Sequence, residues 1–222
     1  MTHHPLPEAG QSRSLLLNGP AGSIEVLLSA PREPRPDADF AVICHPHPLH
    51  GGAMSNKVTY TLASCANKAG LYALRFNFRG VGASAGTHDH GRGETEDVVF
   101  LARWLQTQLP QGRLLLAGFS FGAWVSANAA AQLAPTALLS IAPPFAKYFD
   151  DAPPPPRPAC PWLVVHDTAD EVVDYGETKK LLDAYTPPPE LVTTSGAGHF
   201  FHGRLTELSS SVMPFLQRHF AR

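Results

Sequence analysis

The sequence predicts an α/β fold in which helices cover both faces of a mostly parallel sheet that begins with an antiparallel hairpin. Two patterns lead to this prediction. Short apolar runs recur along the chain, as expected for strands buried on both faces. Segments with helical periodicity and one apolar stripe separate most of these runs. Because β-α-β crossovers are right-handed, such alternation gives a doubly wound sheet, with sites beyond the carboxyl ends of its strands.

The first predicted element is a hairpin of residues 13–18 and 22–29, since Gly19, Pro20 and Gly22 mark a turn between them. The buried strands that follow are predicted at 40–44, 71–76, 114–117, 137–141, 162–165 and 191–192. The helices are predicted near 56–69, 92–108, 121–134, 175–185 and 205–220. Residues 1–12 are expected to form a flexible N-terminus and residues 13–222 a single domain.

The composition fits one globular domain and argues against several classes of partner. Of the 222 residues, 44% are hydrophobic and 16% are charged. The formal net charge of -2 offers no field that would attract nucleic acid or anionic lipid. The N-terminal residues lack the pattern of a signal peptide, and no apolar stretch reaches the roughly 18 residues of a membrane span. We therefore expect a soluble cytoplasmic protein, whose widely spaced Cys44, Cys65 and Cys160 are reduced thiols.

The segment GFSFG at residues 118–122 has the pattern of a nucleophile elbow around Ser120. It follows a predicted strand and opens a predicted helix, which is the order that this turn requires. Glycines two positions on either side of the serine avoid collisions with the neighbouring strand and helix. The helix that starts at Phe121 directs its positive end toward the serine, where it favours an oxyanion. Ser120 is therefore a candidate nucleophile, and the alternative is a glycine-bounded turn with an idle serine.

A serine nucleophile needs a base to take its proton and an acid to orient that base. Carboxylates follow the strand predicted at 162–165, and they are Asp167, Asp170, Glu171 and Asp174. His199 follows the last predicted strand directly, whereas His202 lies three residues further on. The chain order is thus Ser, Asp, His, and His199 is favoured over His202 as the base.

Four segments of the chain, in one order, carry a resemblance to a known family. They are HPHPLHGGAMSNK at 45–57, RFNFRGVGAS at 75–84, GFSFG at 118–122 and GHFFHG at 198–203. With these segments, the chain from about residue 40 to its end resembles the compact, lidless α/β-hydrolases marked by a His-Pro-His-Pro segment. The resemblance implies an α/β-hydrolase fold and a serine hydrolase with esterase-like chemistry.

The resemblance also favours one acid among the alternatives. In the wider fold, the strand that carries the acid usually ends in His-Gly-x-x-Asp, which places His166 at the histidine and Asp170 at the acid. Asp167 replaces the glycine of that pattern, so Asp167 stays an alternative, together with Glu171 and Asp174. Asp174 has a structural use as well, because it precedes the helix predicted from residue 175 and can cap it.

An acyl-transfer intermediate needs two backbone donors for its oxyanion, one after the nucleophile and one in the loop after the third strand. Phe121 supplies the first. In the loop, Pro46 and Pro48 have no N–H group, so His47 or Leu49 must supply the second. The usual His-Gly-x pattern of the fold aligns with His47, which is therefore the favoured donor.

A different chemistry is conceivable for the histidines of this loop. Zinc is bound by His-x-His spacing in some metallohydrolases, and the candidate ligands are His45, His47 and His50, with His88 and His90. However, the prolines restrict the approach of the rings, and the serine elbow would be left without a purpose. No metal and no cofactor is therefore expected.

The connection at residues 142–161 is too short and too rich in proline for a helical lid, so the site is expected to be open. Candidate apolar residues at its rim are Phe145, Tyr148, Phe149, Phe200 and Phe201. The predicted activity is hydrolysis of carboxylic esters with small or short acyl groups, through Ser120, His199 and Asp170. The alternative from another class is a non-catalytic binding protein on the same fold.

Overall fold

The computed structural model describes residues 5–146 and 153–221, and within them it contains one eight-stranded sheet. The strands are β1 (Ser12–Gly19), β2 (Gly22–Ser29), β3 (Phe40–Cys44), β4 (Tyr72–Phe76), β5 (Leu114–Phe119), β6 (Ala137–Ile141), β7 (Trp162–Asp167) and β8 (Glu190–Thr194). Their order in the sheet is β1-β2-β4-β3-β5-β6-β7-β8. The pairs β1·β2 and β2·β4 are antiparallel, and the remaining pairs are parallel.

Five α-helices occur in the described part of the chain, close to their predicted positions. They are α1 (Lys57–Lys68), α2 (Arg92–Gln108), α3 (Phe121–Leu133), α4 (Tyr175–Ala184) and α5 (Leu205–Phe220). A short 3-10 helix, Pro48–His50, follows β3. The predicted doubly wound α/β fold with an antiparallel hairpin at its start is therefore confirmed.

Alternate residues of the buried strands face two separate cores, which explains why their sequences read as continuous apolar runs. In β3, Val42 belongs to the core beneath α2 and α3, whereas Ala41 and Ile43 belong to the core beneath α1 and α5. Both cores exclude water almost completely, so the sheet forms a rigid platform under the loops at its carboxyl edge.

Strands β5, β7 and β8 extend further than the sequence predicted. The strands were predicted from apolar runs, which end at the first polar residue or glycine. The hydrogen-bonded pairing between neighbouring strands continues beyond that residue. Gly118 pairs with Ser140, and Asp167 pairs with Thr194. These extensions bring the strand ends up to the candidate site residues.

The connection between β6 and β7 carries no helix in its described residues, 142–146 and 153–161. The predicted absence of a lid is consistent with this short connection. Among the described residues, 5–146 and 153–221, no helix is long and apolar enough to cross a membrane.

Candidate active site

Ser120 lies in the tight turn between β5 and α3, in a backbone conformation that few non-glycine residues adopt. Its φ and ψ angles are 52° and -121°, and its N–H donates to the carbonyl oxygen of Ile141 at 2.9 Å. Such strain is kept where the surrounding structure enforces it, often at functional sites. The turn has the geometry of a nucleophile elbow, as the pattern GFSFG predicted.

The glycines on either side of the elbow are required by close backbone approaches. A Cβ atom at Gly118 would collide with the backbone of Gly122 at the start of α3. A Cβ atom at Gly122 would lie 2.5 Å from the carbonyl oxygens of Cys44 and His45, at the end of β3. The start of α3 thus packs closely against the end of β3 and the loop that follows it. This contact places Ser120 next to that loop.

A chain of hydrogen bonds connects Ser120, His199 and Asp170. Nε2 of His199 lies 3.1 Å from Oγ of Ser120, and Nδ1 of His199 lies 2.8 Å from Oδ2 of Asp170. The carboxylate accepts the proton of Nδ1, so Nε2 is left as the acceptor for the serine hydroxyl. The ends of β5, β7 and β8 position these side chains, as expected for sites at the carboxyl edge of such a sheet.

Asp170 is held as an ionised carboxylate. Burial raises its pKa, but the hydrogen bonds from His199 and from the amides of Val172 and Val173 outweigh burial, so the pKa is lowered overall. Both amides donate to Oδ1 at 2.8 Å, which leaves Oδ2 for the histidine. His166, fully buried behind the carboxylate, has Nε2 at 3.1 Å from the carbonyl oxygen of Val173 and 3.4 Å from Oδ2 of Asp170.

Asp167, the first alternative to Asp170, faces a different environment. Its Oδ2 accepts hydrogen bonds from the Thr194 hydroxyl at 2.7 Å and the Ala197 amide at 2.8 Å, and its Oδ1 accepts the Ala169 amide at 2.9 Å. Burial raises the pKa of Asp167, and these bonds lower it by more. The carboxylate ties β7 to the loop that carries His199, rather than contacting the imidazole.

The remaining alternatives also lie outside the hydrogen-bonded chain. Glu171 accepts the backbone N–H of His199 at 3.1 Å, so it fixes the loop and not the ring. Asp174 is the N-cap of α4, as its position before the helix predicted. His202, which is exposed, accepts a hydrogen bond from the Lys57 ammonium at 2.6 Å and has no described contact with Ser120.

The loop after β3 contains both candidates for the second oxyanion donor, His47 and Leu49. The N–H of Leu49 donates to Nδ1 of His47 at 3.1 Å and is therefore occupied. The carbonyl oxygen of His47 accepts the amides of His50 and Gly52 at 3.1 and 3.0 Å, which closes the loop into a tight turn. Phe121 opens α3, and its ring lies 5.1 Å from that of His47. Phe121 and His47, whose N–H groups are the favoured donors, are thus neighbours in the structure, and His47 lines the cavity over Ser120.

His45, one of the candidate zinc ligands, has both ring nitrogens engaged with the backbone. Nδ1 lies 2.6 Å from the carbonyl oxygen of Pro46, and Nε2 lies 3.0 Å from the N–H of Phe78. Because Nδ1 donates and Nε2 accepts, the ring is neutral. Burial lowers the pKa of His45 to about 4, the carbonyl of Pro46 raises it, and His47 lowers it further.

The rings of the other histidines of this region lie against one another, stacked for His47 and His50 and tilted for the other pairs. The ring of His47 lies 4.4 Å from that of His50 and 4.9 Å from that of His88, which in turn lies 5.1 Å from that of His90. Within residues 5–146 and 153–221, no group of three or more His, Cys, Asp or Glu side chains has an arrangement that could hold a metal ion.

A cavity of about 570 Å³ opens over Ser120 and His199. Its apolar wall consists of Pro144, Ala146, Val172, Val173 and Phe200, and its polar wall includes His47, His50, Asn56, Asp174 and Glu177. Of the aromatic residues predicted for the rim, Phe200 lines the cavity, whereas Phe145 and Phe201 are buried in the core. Tyr148 and Phe149 lie outside the described residues.

The sequence interpretation missed the residues that hold the loop after β3. The Met54 amide donates to Oδ1 of Asn77 at 2.8 Å, and its carbonyl oxygen accepts Nη1 of Arg75 at 2.7 Å. All three residues belong to the segments on which the family resemblance depends, so polar residues within those segments were the available signal. Val172 and Val173 were also missed, since no chemical motif identifies a cavity wall.

Comparisons with known proteins agree with this fold. A family model described as the alpha/beta hydrolase fold matches residues 49–155. The chain is 40% identical to an α/β serine hydrolase without a lid from Xanthomonas campestris, with a TM-score of 0.86 and 99% coverage of each chain. It is 42% identical to an α/β serine hydrolase homologue from Coxiella burnetii, with a TM-score of 0.86 and coverage of 97% and 100%.

A further relative is an uncharacterized protein of Rickettsia prowazekii (strain Madrid E), which is 33% identical over 213 residues. That match covers 91% of this chain and 87% of the relative. The identities extend over nearly the whole length of the relatives and support hydrolase activity in general. The chain belongs to the α/β-hydrolase family.

Proposed function

We propose that the protein hydrolyses carboxylic esters with small or short acyl groups, through an acyl-enzyme intermediate on Ser120. The observation that carries the proposal is the hydrogen-bonded chain from Ser120 through His199 to Asp170 at the floor of an open cavity. A serine hydroxyl is a poor nucleophile until a base accepts its proton, and Nε2 of His199 is in position to do so.

In the first half of the reaction, His199 takes the hydroxyl proton while Oγ of Ser120 attacks the ester carbonyl carbon. The carbonyl oxygen becomes an oxyanion, for which the backbone N–H groups of Phe121 and His47 are the proposed donors. The imidazolium, stabilised by the ionised Asp170, then gives its proton to the departing alcohol oxygen. The products are the alcohol and an acylated Ser120.

In the second half, a water molecule replaces the alcohol. His199 takes a proton from this water, the hydroxide oxygen attacks the acyl carbon, and the second tetrahedral intermediate collapses to release the carboxylic acid. The proton returns to Oγ of Ser120, so the enzyme is regenerated without a cofactor. An open cavity of about 570 Å³ suits small esters from bulk solvent. The formal net charge of -2 gives no reason to propose nucleic acid as a partner.

The test is hydrolysis of p-nitrophenyl acetate and butyrate by the full chain and by Ser120→Ala. We expect kcat/KM to fall by about 10,000-fold or more in the variant, since the covalent route is lost. The matched control is Ser195→Ala, because Ser195 is exposed in the loop before His199 and lies outside the hydrogen-bonded chain. Equal turnover by wild type and Ser120→Ala would overturn the proposal, as would the absence of ester hydrolysis by the wild type.

A further inference from the structure

A second cavity, of about 870 Å³, lies away from Ser120, between the β1–β2 hairpin and α1. Its wall shares no residue with the cavity over the serine, as a comparison of their linings shows. The cavity forms where the helical cover of the sheet ends: α1 packs on β3 and β4, while β2 continues the sheet beyond it.

Cationic groups predominate among the charged side chains of this wall. Arg32, Lys68 and Arg75 line it, and Glu33 is the one carboxylate among its described residues. Uncharged hydrogen-bonding residues complete the wall, and they are Ser12, Ser29, Tyr60, Ser64 and Asn67. A positive and hydroxyl-rich cavity is unexpected on a chain whose formal net charge is -2.

Arg75 is the unusual member of this group, because it is a buried cation that forms no ion pair with any of the residues that the structure describes. Its relative exposure is 8%, because it lies on β4, which has a neighbouring strand on each side. Its described contacts are Nη1 to the Met54 carbonyl oxygen at 2.7 Å and the ring of Tyr60, 5.2 Å from the guanidinium carbon. Burial lowers the pKa of Arg75, and Tyr60 opposes this effect.

A guanidinium that is removed from water costs free energy unless hydrogen-bond acceptors or a counter-anion satisfy its five donors. One carbonyl oxygen and one aromatic face are its described partners, and no nitrogen of Arg75 is both enclosed and without a partner. The remaining donors are therefore accessible to solvent at the cavity that Arg75 lines. Arginine remains protonated at any physiological pH, so the charge persists. Planar guanidinium donors match the paired oxygens of carboxylate and phosphate groups.

We propose that this cavity binds a small oxyanion, as a phosphate or a carboxylate group, with Arg75 as its central ligand and Lys68 as a second cation. Lys68 lies in the last turn of α1, where the helix dipole offsets part of its charge. Arg75 therefore contributes the larger share of the attraction. Ser64, on the face of α1 that lines the cavity, offers a hydroxyl donor to the same anion.

The test is isothermal titration of the full chain with sodium phosphate and, separately, with sodium acetate, at constant ionic strength. The two titrations distinguish a phosphate site from a carboxylate site. We expect saturable binding of one anion or both, weakened about tenfold in Arg75→Gln and less in Lys68→Gln. Lys68 is exposed, so Lys68→Gln is expected to fold normally. This variant therefore still tests the proposal if Arg75→Gln does not fold.

The matched control is Arg103→Gln, which removes an exposed positive charge from α2, outside this cavity. Its affinity for the anion should equal that of the wild type. The proposal is wrong if neither anion binds saturably, or if Arg103→Gln weakens binding as much as Arg75→Gln or Lys68→Gln. Because the readout is anion binding, the result is independent of ester hydrolysis at Ser120.

Discussion

The two sides of the cavity over Ser120 use histidine in opposite ways. On the side formed by the ends of β5, β7 and β8, the ring of His199 connects two other side chains, with Ser120 at 3.1 Å and Asp170 at 2.8 Å. On the side formed by the loop after β3, the ring nitrogens of His45 and Nδ1 of His47 bond to the backbone. The same side chain thus serves chemistry on one side and loop geometry on the other.

The charge states of the loop histidines follow from this difference. Burial is the main cause that lowers the pKa of both His45 and His47 to about 4. For His47, the neighbouring His50, His88 and His90 lower it further, while Glu94 raises it. Both rings are therefore neutral at pH 7, and neither places a positive charge beside the imidazole of His199. The lesson is that the partners of a histidine, and not its spacing in a motif, define its role.

The largest expected effect separates the two sides directly. His199→Ala should lower kcat/KM for p-nitrophenyl butyrate by about 10,000-fold, because the base is lost. His47→Ala keeps the backbone N–H that is proposed to bind the oxyanion, so a loss of about tenfold or less is expected. Steady-state kinetics of both variants checks this contrast. A larger loss in His47→Ala would mean that the ring itself takes part in the chemistry, as in a metal site.

The next effect separates two carboxylates on one strand end. Asp170→Asn should lower kcat by about 1,000-fold to 10,000-fold, since the amide no longer stabilises the correct tautomer and the imidazolium. Asp167→Asn should retain most activity but lose about 2 kcal/mol of unfolding free energy, because the hydrogen bonds of a buried carboxylate are weakened. Kinetics and urea denaturation of both variants provide the measurements. If Asp167→Asn were the less active variant, the assignment of the acid would be wrong.

A smaller effect tests the contact that joins the two sides. Gly122→Ala places a Cβ atom 2.5 Å from the carbonyl oxygens of Cys44 and His45, so we expect a loss of about 1–3 kcal/mol in unfolding free energy. Gly176→Ala, in the first turn of α4, is the control; its Cβ atom meets a carboxylate oxygen of Asp174 at 3.3 Å, which can move. Denaturation midpoints should fall in the first variant and stay nearly unchanged in the second. Equal midpoints would show that the elbow and the loop are not tightly packed.

The last prediction concerns the dependence of stability on pH. The unfolded chain protonates His45 near its ordinary value of 6.5, whereas the folded chain does so only near 4. Between these values the unfolded state binds more protons, so falling pH destabilises the fold by up to about 1.4 kcal/mol per pH unit. His45→Gln should be less stable at pH 7, where the ring bonds are lost, but should lose stability less steeply toward pH 4. Urea denaturation at several pH values checks this, and parallel slopes would contradict it.

Much of this architecture follows from the sequence because the signals are local. The elements at 92–108 and 205–220 coincide with α2 and α5, since one apolar stripe of helical period marks each of them. The elbow was predictable because the strand, the two glycines and the helix are contiguous with Ser120. His199 was separable from His202 by its distance from the end of β8.

The unpredicted features depend on contacts between residues that are far apart in the chain. Thr194 and Ala197, which engage Asp167, lie 27 and 30 residues away from it. The hydrogen bond from the Leu49 amide to Nδ1 of His47 was also unpredicted, because no spacing in the sequence encodes it. Arg75 resembles any residue of a strand until the sheet order places β4 between β2 and β3, where Arg75 lines the second cavity.

The central claim is that Ser120 is an activated nucleophile. Treatment of the full chain with a fluorophosphonate, followed by peptide mass spectrometry, tests it most directly, because the reagent forms a stable bond only with a serine whose proton is removed. The predicted result is one equivalent of label on Ser120, with none in Ser120→Ala and little in His199→Ala. An unlabelled wild type, or label on another serine, would contradict the account.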